Sequence, residues 1–119
     1  MSRILHITDK RQWRAAQKSG TYSADSLSNQ GFIHCSTSGQ VIAVANFLFK
    51  GQKDLVLLEI DTDLVEAKIR YENLEGGTKL FPHVYGPIKV TAVVNVYEFS
   101  PGPDGEFELP FAPLTDSEP

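Results

Sequence analysis

Two histidines in this sequence occur in the same short pattern, one that suits chemistry near neutral pH. His6 and His34 each lie two residues before a hydroxyl side chain, that of Thr8 and that of Ser36. Alternate residues of a strand share a face, so each histidine and its hydroxyl point to the same side. Both segments also run towards a predicted helix start, where free N–H groups favour anions. The pattern indicates a site for an anion or for the hydroxyls of a sugar.

The third histidine, His83, lies in the segment FPHVYGP, residues 81–87. Two prolines and a glycine restrict this backbone, and His83 and Tyr85 share a side if the segment is extended. A rigid segment whose rings carry polar groups, as those of His83 and Tyr85 do, suits the wall of a binding site. We expect the three histidines to act in one polar pocket that six side chains form: His6, Thr8, His34, Ser36, His83 and Tyr85. Burial and clustering should lower the histidine pKa values below about 6.5.

Each of these features also has a purely structural interpretation. The histidines can satisfy backbone groups locally, and FPHVYGP can be a tight turn. Cys35 is the neighbour of His34 on a strand and points the other way, so a buried, unreactive thiol is expected. Either Glu59 or Glu72 could supply a catalytic carboxylate, although surface or edge positions are expected for both. No H-x-x-x-H or C-x-x-C spacing occurs, and no metal site is predicted.

Composition limits the class of protein. The chain has 119 residues and a net charge of −4, from 11 basic and 15 acidic side chains. This length fits one domain, and the charge argues against a generic nucleic-acid binder. The single cysteine excludes an intramolecular disulfide. The N-terminal residues do not read as a signal peptide, and no apolar run is long enough to span a membrane, so we expect a cytoplasmic protein. The oligomeric state stays open.

The elements that must position these residues follow from periodicity and caps. Strands are predicted at 3–8, 31–36, 55–60, 68–72 and 90–99, and at 80–85 a strand or extended loop that Pro82 would keep at an edge. Thr8 or Asp9 should cap a helix that ends before Gly20. The apolar run at 55–60 is typical of a central strand.

Further along the chain, residues 37–40 read as a capping box before a helix whose apolar stripe faces the core. That stripe comprises Val41, Val44, Ala45 and Leu48. Residues 21–30 and 73–79 are expected to be loops. Residues 1–99 would form the domain. Residues 100–119 would form a Pro-rich acidic tail, packed in part through Phe107, Leu109 and Phe111.

Three segments, GFIHCSTSGQVIAVANF, LVLLEIDTDLV and FPHVYGPIKVTAVVNVYEF, resemble the small bacterial domain-of-unknown-function 952 (DUF952) family. The resemblance runs from Ile4 to about Phe99. That family in turn resembles the ADP-ribosyltransferase-like fold and, within it, the NAD-dependent RNA 2′-phosphotransferases. The resemblance implies an α+β fold with a split mixed β-sheet flanked by a few helices.

The more distant resemblance also implies roles. His6 would bond a ribose hydroxyl of NAD, and His34 would lie beside the nicotinamide or a transferred phosphate. Ile7 stands where those enzymes have a glycine, and Arg11, Arg14 and Arg70 are only candidates for their arginines. No residue matches the catalytic glutamate of protein-modifying relatives.

Three functions follow from these observations. The first is an NAD-dependent ADP-ribosyl or phosphate transferase, or an NAD-cleaving enzyme, with His6, His34 and His83 as catalytic residues. The second is a module that binds a nucleotide or sugar phosphate without turnover. The third is an interaction protein whose acidic tail binds a partner. A small phosphate-bearing ligand is the partner expected for the first two.

Overall fold

A computed structural model describes residues 2–73 and 79–111. The described chain contains eight strands and three α-helices. In chain order they are β1 Arg3–Asp9, α1 Lys10–Ser19, β2 Thr21–Tyr22, α2 Asp25–Gln30, β3 Ile33–His34, α3 Val41–Leu48, β4 Leu55–Asp61, β5 Ile69–Glu72, β6 Phe81–Val84, β7 Ile88–Lys89 and β8 Val93–Phe99. Short 3-10 turns at Thr62–Leu64 and Val90–Ala92 precede β5 and β8.

The strands form three small sheets, in the orders β1-β4-β8, β2-β7 and β3-β6-β5. Leu5 and Ser36 exchange two backbone hydrogen bonds of 2.8 Å, and this bridge joins β1 to the chain that leaves β3. The α+β class is therefore confirmed. The mixed sheet is not observed, because every strand pairing among the described residues is antiparallel.

β4 is the central strand of the largest sheet, and all seven of its residues are buried. Val56, Leu58 and Ile60 pack with the core that includes α1, whereas Leu55 and Leu57 pack with the core that includes α3. A strand covered on both faces needs apolar residues at successive positions, which explains its nearly unbroken apolar sequence. The prediction for this strand is confirmed.

The helix after β1 begins and ends as its caps predict. Asp9, not Thr8, is the cap, and its Oδ1 accepts a hydrogen bond of 2.7 Å from the Gln12 N–H. Gly20 ends α1 at a φ of 87°, a left-handed conformation that costs glycine little. Trp13 and Ala16 are the two residues of α1 that are buried.

Residues 21–30 are not the loop that their polar composition predicts. Thr21–Tyr22 pairs with β7, and Asp25–Gln30 forms α2. Tyr22 is 2% exposed, and its ring packs in the core with that of Trp13. Propensity failed here because tertiary contacts bury one face of an otherwise polar segment.

β6 is central in its sheet, so the edge position predicted from Pro82 is wrong. Cys35 donates a backbone hydrogen bond of 3.0 Å to the Pro82 carbonyl. Pro82 has no N–H to donate to Cys35 in return. The strand β3 ends at His34, one residue before Cys35. The strand predicted at 31–36 is correspondingly short, continued only by the bridge at Ser36. β8 likewise begins at Val93, after a 3-10 turn, instead of at Val90.

The capping box forms in part. The Gln40 Oε1 accepts a hydrogen bond of 3.0 Å from the Thr37 N–H, although α3 itself begins at Val41. Of the expected core stripe, Val41 and Ala45 are buried, while Leu48 is 63% exposed. The end of the stripe therefore does not face the core.

The first part of the tail packs on the domain. Phe107 is 3% exposed and stacks on Phe99, with ring centroids 4.7 Å apart. Leu109 and Phe111 pack against the same cluster. Most of the loop expected at 73–79 lies outside the described residues. Within the described ranges, no helix is long and apolar enough to cross a membrane.

Candidate functional site

A cleft of about 810 Å³ lies at the junction of α3, β1 and the β3-β6-β5 sheet. The sheet contributes Phe32, which precedes β3, and His34, Glu72, Phe81 and His83. The α3 segment contributes Ala43, Val44, Phe47, Leu48 and Phe49. Leu5, His6, Ile7 and Ser36 line it from β1 and the bridge, and Ser26 and Gln30 from α2. We call this space the cleft.

Strand pairing brings two of the histidines side by side. His34 is the cross-strand partner of His83, and directly opposed residues share a face of the sheet. Their rings meet edge to face, with centroids 5.1 Å apart. Phe32 stacks on the His83 ring at 4.1 Å and meets the His34 ring edge-on at 4.7 Å. The three rings form one aromatic group beside the cleft.

A carboxylate holds the His83 ring. The Nδ1 of His83 lies 3.0 Å from the Glu72 Oε1, and the side chain of His83 is 6% exposed. The same oxygen of Glu72 accepts a short hydrogen bond from the Tyr85 hydroxyl. These two bonds, that of Tyr85 first, lower the pKa of Glu72. The Tyr85 pKa is raised, chiefly because its hydroxyl donates to this carboxylate.

His34 is the exposed histidine of the cleft. Its Nε2 lies 2.5 Å from the Gln30 Oε1 at the end of α2. An amide oxygen only accepts, so the His34 Nε2 carries the hydrogen in this contact. Gln30 thereby sets the orientation of the His34 ring.

His6 has a different role from the other two histidines. Its Nδ1 lies 2.5 Å from the His34 carbonyl oxygen, and its Nε2 lies 2.7 Å from the Tyr22 hydroxyl. The carbonyl can only accept, so Nδ1–H donates, and in the neutral ring Nε2 accepts from Tyr22. Burial lowers the His6 pKa to about 4. Both nitrogens are thus engaged, and neutral His6 supports the backbone at His34.

The remaining expected site residues are divided between the cleft and the rest of the molecule. Ser36 lines the cleft. Thr8 is buried outside it and hydrogen-bonds the Gln12 side chain at 3.0 Å. Tyr85 is also outside the lining and contacts the site through Glu72 and through the Phe32 ring, with ring centroids 5.3 Å apart. Thr8 fails to join because β1 turns its face towards α1, while the neighbouring residues Leu5 and Ile7 face the cleft.

Several residues of the site were missed or misjudged in the sequence. Glu72 lies on the edge strand β5, as expected, and from there contacts both His83 and Tyr85. Gln30 and Phe32 flank the short β3 and were not singled out. For Glu72 and Phe32, strand alternation was the one signal in the sequence. Once the pairing register is known, alternation places both side chains on the same face of the sheet as His83. Gln30 carried no such signal, since its position depends on α2.

Glu59, the other candidate carboxylate, is not at the surface as expected. It is 3% exposed and accepts hydrogen bonds from Arg3, Asn95 and Tyr97 at 2.7, 3.1 and 2.7 Å. It does not line the cleft. Its network ties β1, β4 and β8 together.

The cleft is more apolar than expected. Most of its lining side chains are aliphatic or aromatic, and those of Phe47 and Leu48 are 85% and 63% exposed. Among the described lining residues there is no lysine or arginine. Arg11 and Arg14 are exposed on α1 and do not line the cleft, and Arg70 lies over the Tyr85 ring at 5.7 Å.

No described group of His, Cys, Asp and Glu has the arrangement of a metal site. Cys35 is buried, and burial raises the pKa of its thiol. Cys35 packs in the core and is also one of the residues that line the cleft. The cleft therefore offers imidazole, carboxylate and amide groups, but no thiolate.

Comparison with known proteins identifies the family. Residues 7–96 match the model described as protein of unknown function (DUF952). The chain belongs to this family, because the match covers well over half of its length. None of the curated proteins matches it significantly.

Solved structures of one bacterial protein are similar. The X-ray crystal structure of protein CC0527 from Caulobacter crescentus is 33% identical, with a TM-score of 0.80 over 91% of this chain and 95% of that one. The solution NMR structure of CC0527 is 30% identical, with a TM-score of 0.74 over 89% and 91% of the two chains. These relatives fix the fold and the family, and the function rests on the site.

Proposed function

For this member of the DUF952 family, we propose that the cleft binds a small organic molecule and that His83 transfers a proton at a polar group of that ligand. The observation that carries the proposal is the 3.0 Å contact between the Glu72 carboxylate and the His83 Nδ1, on a ring that lines the cleft. A carboxylate that orients an imidazole is the arrangement a general base requires.

The chemistry follows from the hydrogen-bond roles. An ionised carboxylate only accepts, so the His83 Nδ1 carries a hydrogen and the neutral ring keeps a lone pair on Nε2. Among the described residues, none donates to this Nε2. Glu72 also stabilises the imidazolium that forms when His83 takes up a proton. Tyr85 holds the carboxylate in place through its second bond.

His34 supplies a second titratable ring beside the first. Its ring edge meets His83, and Gln30 fixes its Nε2 as a donor. The Nε2–H of neutral His34 is already donated to Gln30, so His34 would donate to a ligand in its protonated form, which histidine can adopt near neutral pH. His34 is the more exposed of the two and lies nearer the solvent.

The size and walls of the cleft support a small-molecule ligand. Ligand sites are typically clefts of about 300–1,000 Å³ with mainly apolar walls and a few polar groups. The 810 Å³ cleft has these properties, with polar groups from the β3-β6-β5 sheet, from β1 and its bridge, and from α2.

NAD is the cofactor that the distant resemblance implies, and the residues present do not fit it well. The described lining lacks a basic side chain for the pyrophosphate. His6, which would bond the ribose, already uses both ring nitrogens. Thr8 lies outside the cleft. NAD-dependent transfer therefore enters the proposal only as an alternative to be tested, as does nucleotide binding without turnover.

A ligand screen tests the proposal. Thermal unfolding is followed with NAD, ADP-ribose, mononucleotides, sugar phosphates and a library of neutral metabolites, because a ligand that binds only the folded state raises the melting temperature. Incubation with NAD, with free nicotinamide as the readout, tests the transferase alternative directly. Any ligand found is then incubated with the protein and followed by NMR for chemical change.

Two variants test whether Glu72 and His83 take part in proton transfer or only contact the ligand. We expect Glu72→Gln and His83→Gln to lower turnover of the ligand by about 10²-fold or more. Glu66→Gln is the control, because Glu66 is exposed, pairs with Lys89 and does not line the cleft. Full activity in both site variants would overturn the proposal. Binding without any turnover would favour the binding-module alternative.

A further inference from the structure

The helical side of the cleft ends in two strongly exposed apolar side chains. Phe47 and Leu48, at the end of α3, are 85% and 63% exposed, and both line the cleft. Exposed apolar groups that adjoin a cleft mark surface that a ligand or a partner covers. Leu48 belongs to the same apolar stripe as Val41 and Ala45, which are buried. The stripe therefore runs from the core into the cleft.

The charges of the cleft restrict the polar part of the ligand. Among the described lining residues, Glu72 is the one carboxylate, and neither lysine nor arginine is present. An anionic group would meet Glu72 with no cation in the cleft lining to offset the repulsion, because Arg70 lies outside the lining, over the Tyr85 ring. A neutral donor such as a hydroxyl or amide can instead donate to the His83 Nε2.

We propose that the ligand is a neutral amphiphile, with a hydroxyl or amide head at His83 and an apolar chain or ring against Phe47 and Leu48. This inference rests on the proposed function, because it names the class of molecule that the same cleft accepts. The exposed surface of Phe47 and Leu48 continues the apolar stripe of α3 into the cleft. This continuity argues that the apolar chain of the ligand is what covers that surface.

The inference has a quantitative consequence. Each methylene group buried from water contributes about 0.8 kcal/mol, which corresponds to about fourfold in affinity. A homologous series with one fixed head should therefore bind more tightly with each added methylene, until the chain passes the end of α3.

The experiment uses the 1-alkanols from butanol to octanol as probes, with binding to the full chain measured by NMR titration. We expect a gain of about two- to fourfold per methylene in the natural protein. Phe47→Ser and Leu48→Ser should reduce this gain per methylene. Leu64→Ser is the matched control, because Leu64 is a 50% exposed leucine that does not line the cleft, and it should leave the whole series unchanged.

Three outcomes would overturn the inference: no dependence on chain length, a dependence that Phe47→Ser and Leu48→Ser leave intact, or tighter binding of the matching alkanoates than of the alkanols. Size-exclusion chromatography of the natural protein and of Phe47→Ser tests a second copy as the occupant. A dimer that dissociates in Phe47→Ser would also overturn the inference.

A further variant keeps the two proposals distinguishable. His83→Phe, which keeps a ring but has no hydrogen-bonding atom, should weaken the binding of every alkanol by one common factor and leave the gain per methylene as it is. If His83→Phe has no effect while the chain-length dependence persists, the role of His83 fails and the apolar specificity stands. If His83→Phe weakens every alkanol equally but chain length is irrelevant in the natural protein, the apolar specificity fails and the role of His83 stands.

Discussion

His34 and His83 are cross-strand partners on β3 and β6, and their rings meet edge to face at 5.1 Å. The adjacent pair in the same ladder, Ile33 and Val84, is completely buried. A slip of one residue would turn that pair away from the core and turn the histidines towards it, so core packing fixes the register of the site. The two histidines are thus in contact because the apolar residues on the other face of the same strands fix how these strands pair.

The first prediction concerns the pH dependence of stability. The His6 pKa is lowered to about 4 by burial, while in the unfolded chain it is about 6.5. Between these values the unfolded chain binds a proton that the folded chain does not, so stability falls as pH falls. The contribution of neutral His6 is complete above about pH 6.5 and is lost towards pH 4, a change of about 3 kcal/mol.

Urea unfolding at several pH values between 7.5 and 4.5 measures this dependence. We expect His6→Gln to show a shallower loss of stability over the range, because glutamine does not titrate. The carboxyl groups contribute equally to both proteins and cancel in the comparison. Parallel curves for the two proteins would contradict the prediction.

The second prediction concerns the hydroxyl of Tyr22. Tyr22→Phe leaves the buried His6 Nε2 without its 2.7 Å partner, and a buried polar group without a partner costs about 1–3 kcal/mol. Denaturant unfolding should show a loss of this size. Tyr71→Phe is the control, at a tyrosine that is 45% exposed, and it should change stability much less. Equal effects of the two variants would rule out the proposed role of the hydroxyl.

The third prediction concerns the buried carboxylate of Glu59. It accepts from Arg3, Asn95 and Tyr97, and removal of one partner of a buried ion pair costs about 3–5 kcal/mol. Because Arg3 is partly exposed, we expect Glu59→Ala to destabilise by about 2–4 kcal/mol. Glu98→Ala removes an exposed partner of Lys10 and should cost less than about 1 kcal/mol. Chemical denaturation of both variants decides between these values.

The fourth prediction concerns the single thiol. Cys35 is buried, and its pKa is raised by desolvation, so little reactive thiolate forms. We expect an aromatic disulfide reagent to label the native protein slowly and to react with one thiol per chain at once in guanidinium chloride. Rapid labelling under native conditions would show that the thiol reaches solvent.

The fifth prediction concerns the tail. Phe107 is buried against Phe99, and its N–H donates a 2.8 Å hydrogen bond to the Asn46 side chain. We expect Phe107→Ala to cost about 3–5 kcal/mol, as for a core phenylalanine. A thermal melt of this variant beside Leu80→Ala, at a 55% exposed leucine, tests the expectation. A loss below about 1 kcal/mol would mean that the tail adds little to the core.

Local sequence determined much of the secondary structure. β1, α1 and β4 follow from alternation, from Asp9 and Gly20 as caps, and from an unbroken apolar run. These signals are local, since each depends on residues within a few positions of one another. The family resemblance is likewise carried by short segments that remain contiguous in the chain.

Tertiary structure alone decided which of these residues form the cleft. The sequence brought His34 and His83 to notice, but Glu72 joins them only because β5 pairs with β6 in one register. His6 and Thr8 share the pattern of His34 and Ser36, yet Thr8 lies outside the cleft, and His6 lines it with both ring nitrogens already bonded to Tyr22 and the His34 carbonyl. The end of the α3 stripe lines the cleft instead of the core. Strand register and the packing of helices on sheets depend on contacts between distant parts of the chain, and no local pattern contains them.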